Sequence, residues 1–155
     1  MGDDFLTPEA LAAVKATFEE KIPFNRLLGL KVTELTLKRV VLSWEMRPEQ
    51  VGNFVHGILH GGVISAALDA TGGLVAMVNA LKRMDGRGPE EQSAVLSRIG
   101  TIDLRVDFLR RGAGSRFHAT GTILRTGSRV AVARMELHNE EDKLLATGTG
   151  TYIVG

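Results

Sequence analysis

Gly57-Ile58-Leu59-His60-Gly61-Gly62-Val63-Ile64-Ser65-Ala66-Ala67-Leu68-Asp69 is the stretch whose reading decides the fold. A loop from Pro48 to Leu59, carrying Gly52, Asn53, His56 and Gly57, ends inside it, and a long apolar helix begins, about Gly61 to Leu81. Apolar residues lie on every face of that helix, which marks a helix enclosed by other structure. From Gln50 to Leu81 the only formal charge is Asp69. The segment is long enough to span a bilayer. A mid-span carboxylate, two glycine pairs and Asn79 oppose that reading, because ionisable residues are rare at the centre of a membrane span. A buried core helix is expected.

Upstream, Thr7-Pro8-Glu9 is a helix start: a capping hydroxyl, proline at the first helical position, then an acid at the positive end of the dipole. Leu11, Val14 and Phe18 give that helix, about residues 7–22, an apolar stripe, and Pro23 stops it. Leu30 to Leu37 reads as a strand, and Val40, Leu42, Trp44 and Met46 alternate with Val41, Ser43 and Glu45 as a second. Downstream, Lys82 to Arg98 is charged, holds Gly86, Gly88 and Pro89, and reads as a mobile loop. Four alternating runs follow, over Thr101–Phe108, Phe117–Ile123, Ala131–Leu137 and Leu144–Val154, separated by short polar turns. That pattern predicts a meander of antiparallel hairpins. One long helix and one antiparallel sheet cover each other most simply if the sheet wraps the helix. The fold class is therefore α+β, and the chain, residues 1–155, reads as a single domain with a core at about 29–154.

The 155 residues include no cysteine, which excludes disulfides, a thiolate nucleophile and Cys-ligated metal, and fits a reducing, cytoplasmic setting. Met1 to Phe5 shows no signal-peptide pattern, and Gly2 lacks the Ser or Thr at position 6 of a myristoylation start. A net charge of +1, with acids interleaved among the bases, argues against nucleic acid as a partner. Glycine is enriched at 18 residues, and six of these fall in Gly52–Gly73. Gly72-Gly73 interrupts the helix, which predicts close packing against another backbone.

Asp69 is either a structural carboxylate, bonded to backbone or a strand arginine, or a catalytic carboxylate in a cleft; the second is favoured. His60-Gly61-Gly62 sits where loop becomes helix. Free N–H groups there can hold an oxyanion, and glycine lets a substrate approach the backbone. Nine residues separate His60 from Asp69, about 13 Å of helical rise. One helix cannot present both groups to one carbonyl, so two copies of the helix across a symmetric interface are implied. Asp69 could act as base toward water or as a nucleophile forming an anhydride. His56 and His60 lack the further ligands a metal site needs, and Ser65 and Ser128 lack a base beside them.

The quoted stretch resembles the core motif of hotdog-fold acyl-CoA thioesterases, most nearly the phenylacetate-degradation thioesterase-like branch. The resemblance continues through Thr101-Ile102-Asp103-Leu104-Arg105-Val106-Asp107-Phe108-Leu109-Arg110-Arg111 and the final meander, roughly Gly29 to Val154. It implies the hotdog fold, a long central helix wrapped by a curved antiparallel sheet of five to six strands, here with an extra N-terminal helix. It implies subunits joined edge to edge as a homodimer or homotetramer, with active sites at the interface. Asp69 falls on the family's catalytic acid, Gly61 on the oxyanion N–H donated by the partner subunit, and Thr101 on a hydroxyl that orients water. His60 organises the loop, Asn53 contributes ahead of it, and Gly62 and Ser65 face the substrate. Asn53 stands one position further from His60 than in the family's pattern, and Arg110-Arg111 replaces the strand's usual terminal proline. Arg110 and Arg129 are expected to take CoA phosphates, and the 82–98 segment to shape substrate entry. The implied reaction is hydrolysis of an acyl-CoA, or of an acyl-carrier-protein thioester, without metal or cofactor. An enoyl-CoA hydratase on the same fold and a non-catalytic acyl-thioester binding module are the rival functions.

Overall fold

The computed structural model describes residues 6–155. The expectations placed on Met1 to Phe5 lie outside the described residues. The central helix is α3, Gly61–Arg83. Its N-cap is His60, whose Nδ1 accepts the Gly62 N–H at 2.8 Å, and Lys82 and Arg83 in its last turn complement the helix dipole. Eight strands accompany it: β1 (Lys31–Leu35), β2 (Arg39–Glu45), β3 (Val51–Asn53), β4 (Ile58–Leu59), β5 (Gly100–Phe108), β6 (Arg116–Thr126), β7 (Val130–Asn139) and β8 (Leu144–Ile153). Six form one antiparallel sheet in the order β1-β2-β6-β7-β8-β5, and β3 with β4 makes a separate two-stranded ribbon.

The inward positions of β2, β6, β7 and β8 close on α3. Ala67, Leu68, Leu74, Val75, Ala76 and Val78 are fully buried there. Burying Leu68, Leu74, Val75 and Val78 contributes about 6–12 kcal/mol in total, well above the roughly 1 kcal/mol that each helical glycine costs. The helix is thus the core of the sheet, as its all-round apolar character predicts. The sheet approaches it closely at Gly121 of β6, where a Cβ would stand 2.9 Å from Thr71 Cγ2 and 3.0 Å from the Thr71 carbonyl oxygen.

Four expectations are corrected. The N-terminal helix, α1 (Pro8–Ala16) running into a π-helical turn (Thr17–Lys21), does stop before Pro23, but Pro23 also begins an unexpected further helix, α2 (Pro23–Leu28). The supposed mobile loop after α3 contains α4 (Pro89–Leu96), with Pro89 at its first position and Glu90 and Glu91 in its first turn. It buries no residue, so it lacks the apolar period that would have announced it. The loop 48–59 contains a 3-10 turn and the β3–β4 ribbon. Finally, β5 does not pair with β6. It pairs with β8, and only β6, β7 and β8 form the meander. Residues 109–115 extend to about 25 Å, enough to cross the three strand spacings, about 14 Å, that separate β5 from β6. Their backbone groups bond the loop before α3 and the end of β2: Gly112 O accepts from Leu59 N–H and Ser115 O from Met46 N–H. The curved sheet with β5 at its edge leaves the flank of α3 that carries Asp69 uncovered.

Candidate active site

Asp69 is half-buried on that flank, and the Thr101 hydroxyl donates to its Oδ1 at 2.8 Å. Thr101 sits beside a break in the β5–β8 register between Thr101 and Asp103, a bulge of the kind that re-aims side chains. Among the described residues no arginine or lysine pairs with Asp69. Its desolvation is offset by the Thr101 bond and by an opening to a cavity of about 380 Å³. That cavity is bounded by Asp69, Thr101 and Tyr152 on one side and by Phe18, Ile22, Ala70, Met77, Leu96 and Ile99 on others. The N-terminal helices and the end of α4 therefore form its walls, so the 82–98 segment does border the space beside Asp69.

At the N-terminus of α3, about two turns before Asp69, four N–H groups lack intrahelical partners. The His60 N–H reaches the Gln50 carbonyl at 2.8 Å, the Val63 N–H reaches the His60 carbonyl at 3.0 Å, and the Gly62 N–H is taken by His60 Nδ1. Among the described residues the Gly61 N–H has no acceptor. His60 thus occupies the Gly62 N–H and leaves that of Gly61 without an acceptor. A larger cavity of about 720 Å³ opens beside His60, Gly62 and Val63, walled by Phe24, Leu27 and Arg47. It does not contain Asp69. Gly61 and Asp69 are separated by eight residues of helix, about 12 Å, so the structure keeps the two groups apart within one chain.

Of the remaining predicted residues, Ser65 bonds Gly61, while Asn53 and Arg110 bond elsewhere. Asn53 Oδ1 accepts from the Val55 and His56 N–H groups at 3.1 and 3.3 Å, closing its own turn. The Ser65 hydroxyl donates to the Gly61 carbonyl at 3.0 Å. Arg110 lies past the end of β5 and donates to the Leu144 carbonyl at 2.8 Å. Arg129 precedes Val130, which pairs with Ile153, itself paired with Gly100 at the start of β5. The two arginines thus stand at opposite ends of a nine-residue strand, about 30 Å apart, and no single phosphate reaches both within one chain.

Tyr152, absent from the sequence-based site, also reaches Asp69. Its hydroxyl donates to the Asp69 backbone carbonyl at 3.2 Å. Burial first, then the Asp69 charge, pushes the phenol well above its usual pKa and keeps it a donor. The expected backbone contact for Gly72-Gly73 is corrected by the same residue. A Cβ on Gly72 would stand 2.7 Å from Tyr152 Cζ and 2.8 Å from Met135 Sδ. Gly72 makes room for a side chain, not a second backbone. The signal was present as the chain's single tyrosine, alternating inward after Gly148 and Gly150.

Among the described residues, one cluster able to hold a divalent cation lies elsewhere. His118, His138 and Asp142 have ligating atoms within 4.8 Å of one another. The two rings stack at 5.3 Å, and His118 Nε2 is 3.6 Å from Asp142 Oδ1. The cluster faces outward from β6 and β7, on the side of the sheet away from α3 and Asp69.

Comparison with known proteins gives this geometry its context. The sequence profile of the thioesterase superfamily matches residues 56–146. The medium/long-chain acyl-CoA thioesterase YigI of Escherichia coli is 48% identical over 147 residues, covering 95% of each chain. Among solved structures, a protein from Shewanella oneidensis related to the thioesterase superfamily superposes with a TM-score of 0.90 at 45% identity, covering 95% of this chain and 96% of that one. A mutant form of the phenylacetic acid degradation protein PaaI from Thermus thermophilus gives a TM-score of 0.65 at 31% identity, over 84% of this chain and 97% of that one.

Proposed function

This chain belongs to the thioesterase superfamily, and we propose that it hydrolyses aliphatic acyl-CoA thioesters at a site built by two copies of the hotdog fold. The observation that carries the proposal is the 2.8 Å bond from Thr101 to Asp69 at the mouth of an apolar cavity. The Asp69 carboxylate takes a proton from water as the water oxygen attacks the thioester carbon. The resulting oxyanion is held by the Gly61 N–H and the positive end of the α3 dipole. Collapse of the tetrahedral intermediate expels the CoA thiolate, which takes the proton from Asp69. Thr101 fixes the carboxylate, and one Asp69 oxygen remains free for water. Label found in the protein after single turnover in ¹⁸O-water would identify instead an anhydride route opened by water at the Asp69 carboxyl carbon.

The edge position of β5 supports the two-copy site. Ile102, Phe108 and Leu109 are about half exposed along it, and an unpaired edge strand invites pairing. Thr101 touches Asp69, while a Cβ on Gly61 would stand 3.4 Å from the Phe108 ring. An antiparallel pairing of β5 with a second β5 that sets Thr101 opposite Phe108 therefore carries the second copy's Gly61 toward Asp69. The 12 Å gap within one chain closes between two. The cavity suits a flexible hydrocarbon chain because Phe18, Ile22, Ala70, Met77, Leu96 and Ile99 give it a mostly apolar wall. The substrate named for YigI supports the same choice.

Complementation tests this. Asp69→Asn removes the base. Gly61→Pro removes the N–H at the first helical position, where proline is tolerated, and His60 already has φ −64° and ψ 137°, as a residue before proline requires. Each variant alone should be inactive in a thiol-release assay over acyl-CoAs of graded length. Unfolded, mixed in equal amounts and refolded together, they should recover about a quarter of wild-type activity, because half the dimers then hold one intact site. No recovery refutes the shared site, and wild-type turnover by Asp69→Asn refutes the mechanism. Hydration of an enoyl-CoA without thiol release would identify the hydratase instead.

A further inference from the structure

Tyr152 lies beyond the residues matched by the superfamily profile, is 1% exposed, and has no part in the chemistry above. Three separate features converge on its hydroxyl. Tyr152 pairs with Thr101 across β8 and β5, and directly opposed residues of antiparallel strands project to the same face. Two hydroxyls from adjacent strands therefore reach one residue of α3: Thr101 takes the Asp69 carboxylate, and Tyr152 takes its backbone carbonyl at 3.2 Å.

The second feature is the socket. Gly72 and Gly150 both lack side chains where the phenol lies, and a Cβ on Gly150 would come within 2.5 Å of the hydroxyl. Glycine at position 72 weakens the helix, so the space for this ring is kept against local preference. The third is the acceptor. A carbonyl in mid-helix already has a helical partner, so the backbone at Asp69 does not need the tyrosine for its own satisfaction.

We propose that Tyr152 is a positioning residue for thioester hydrolysis: its hydroxyl pins the turn of α3 that carries Asp69, so the carboxylate meets Thr101 and the substrate in one orientation. This rests on the reading of Asp69 as the catalytic carboxylate. Tyr152 touches no reacting atom and acts only through Asp69.

Tyr152→Phe keeps the ring in its socket and removes only the hydroxyl. Steady-state kinetics well below the melting temperature should show kcat reduced about three- to tenfold at unchanged KM, the size of one neutral hydrogen bond. The reduction should be the same for every acyl length. In an Asp69→Asn background, Tyr152→Phe should leave the residual rate unchanged, because a group that acts through the carboxylate has nothing left to position. A merely structural tyrosine would not give that loss of coupling. Unchanged kcat in Tyr152→Phe, or altered KM and chain-length ranking at wild-type kcat, overturns the proposal and makes the residue a cavity wall. Independent, multiplicative effects in the double variant overturn it as well. An active Asp69→Asn removes the underlying reading along with it, whereas an inactive Asp69→Asn with an unaffected Tyr152→Phe removes only the tyrosine's role.

Discussion

Gly72 and Gly73 are neighbours in α3, yet replacing each by alanine is expected to shift stability in opposite directions. In an isolated helix the two changes are equivalent, each gaining about 1 kcal/mol. Their surroundings differ. The Cβ of Gly72→Ala would lie 2.7 Å from Tyr152 Cζ, 2.8 Å from Met135 Sδ and closer still to the tyrosine hydroxyl. The Met135 thioether can bend away, but the phenol is rigid, 1% exposed and held from the other side by the Gly150 backbone. Overpacking of this kind costs about 1–3 kcal/mol, and a displaced Tyr152 gives up about 1 kcal/mol more with its bond to the Asp69 carbonyl. Set against the helical gain, Gly72→Ala should be less stable by about 1–3 kcal/mol. A Cβ on Gly73 meets Tyr152 Cε1 at 3.7 Å, ordinary van der Waals contact, so Gly73→Ala keeps its gain of up to about 1 kcal/mol. At about 2–4 °C per kcal/mol for a chain of this size, the two variants should melt roughly 2–16 °C apart. Thermal and urea unfolding followed through Trp44 fluorescence measure the difference. Equal shifts, or a less stable Gly73→Ala, would refute the socket.

Asp69→Asn should lower kcat about 100- to 10,000-fold in the thiol-release assay while melting at or above the wild-type temperature, because it removes a half-buried charge and leaves the Thr101 hydroxyl an acceptor. Thr101→Val, which removes the donor to the carboxylate, should lower kcat about 10- to 100-fold, and Thr101→Ser should restore most of it. Glu140 predicts an acid dependence. The Ser115 backbone N–H, assisted by the Ser115 hydroxyl and the Arg116 N–H, holds its pKa down at about 2 from 4.5. A carboxylate depressed on folding contributes stability that is complete above about pH 4.5 and lost as pH falls toward 2. Wild type should therefore lose urea resistance across that window more steeply than Glu140→Gln, and parallel curves would contradict the assignment.

Much of this was legible along the chain because the signals are local. The all-round apolar helix, the period-two strands of the β6–β7–β8 meander and the His60-Gly61-Gly62 helix start are patterns within a few residues of one another. The isolated charge of Asp69 also stands out without any structure. What failed was of a different kind. The helix α4 buries no residue, so only its Gly88-Pro89-Glu90-Glu91 start announces it, with proline at the first helical position as at Thr7-Pro8-Glu9. The displacement of β5 from β6 was invisible because a short glycine-bearing connection fits a hairpin and a crossing equally well. Arg110 and Arg129, 19 positions apart, become opposite ends of a strand only once β5 has found β8.

The sequence by itself determined that a carboxylate and a helix N-terminus sit on one buried helix too far apart to share a substrate, because helical rise per residue is a property of the backbone alone. Only the tertiary structure decided what surrounds each of them. Thr101 and Tyr152 lie 32 and 83 residues from Asp69. They meet it because sheet pairing joins residues by register, irrespective of their separation along the chain. Gly72 and Gly73 carry the same letter and the same propensity, and it is the phenol of Tyr152, delivered by β8, that leaves no room for a side chain at one of them.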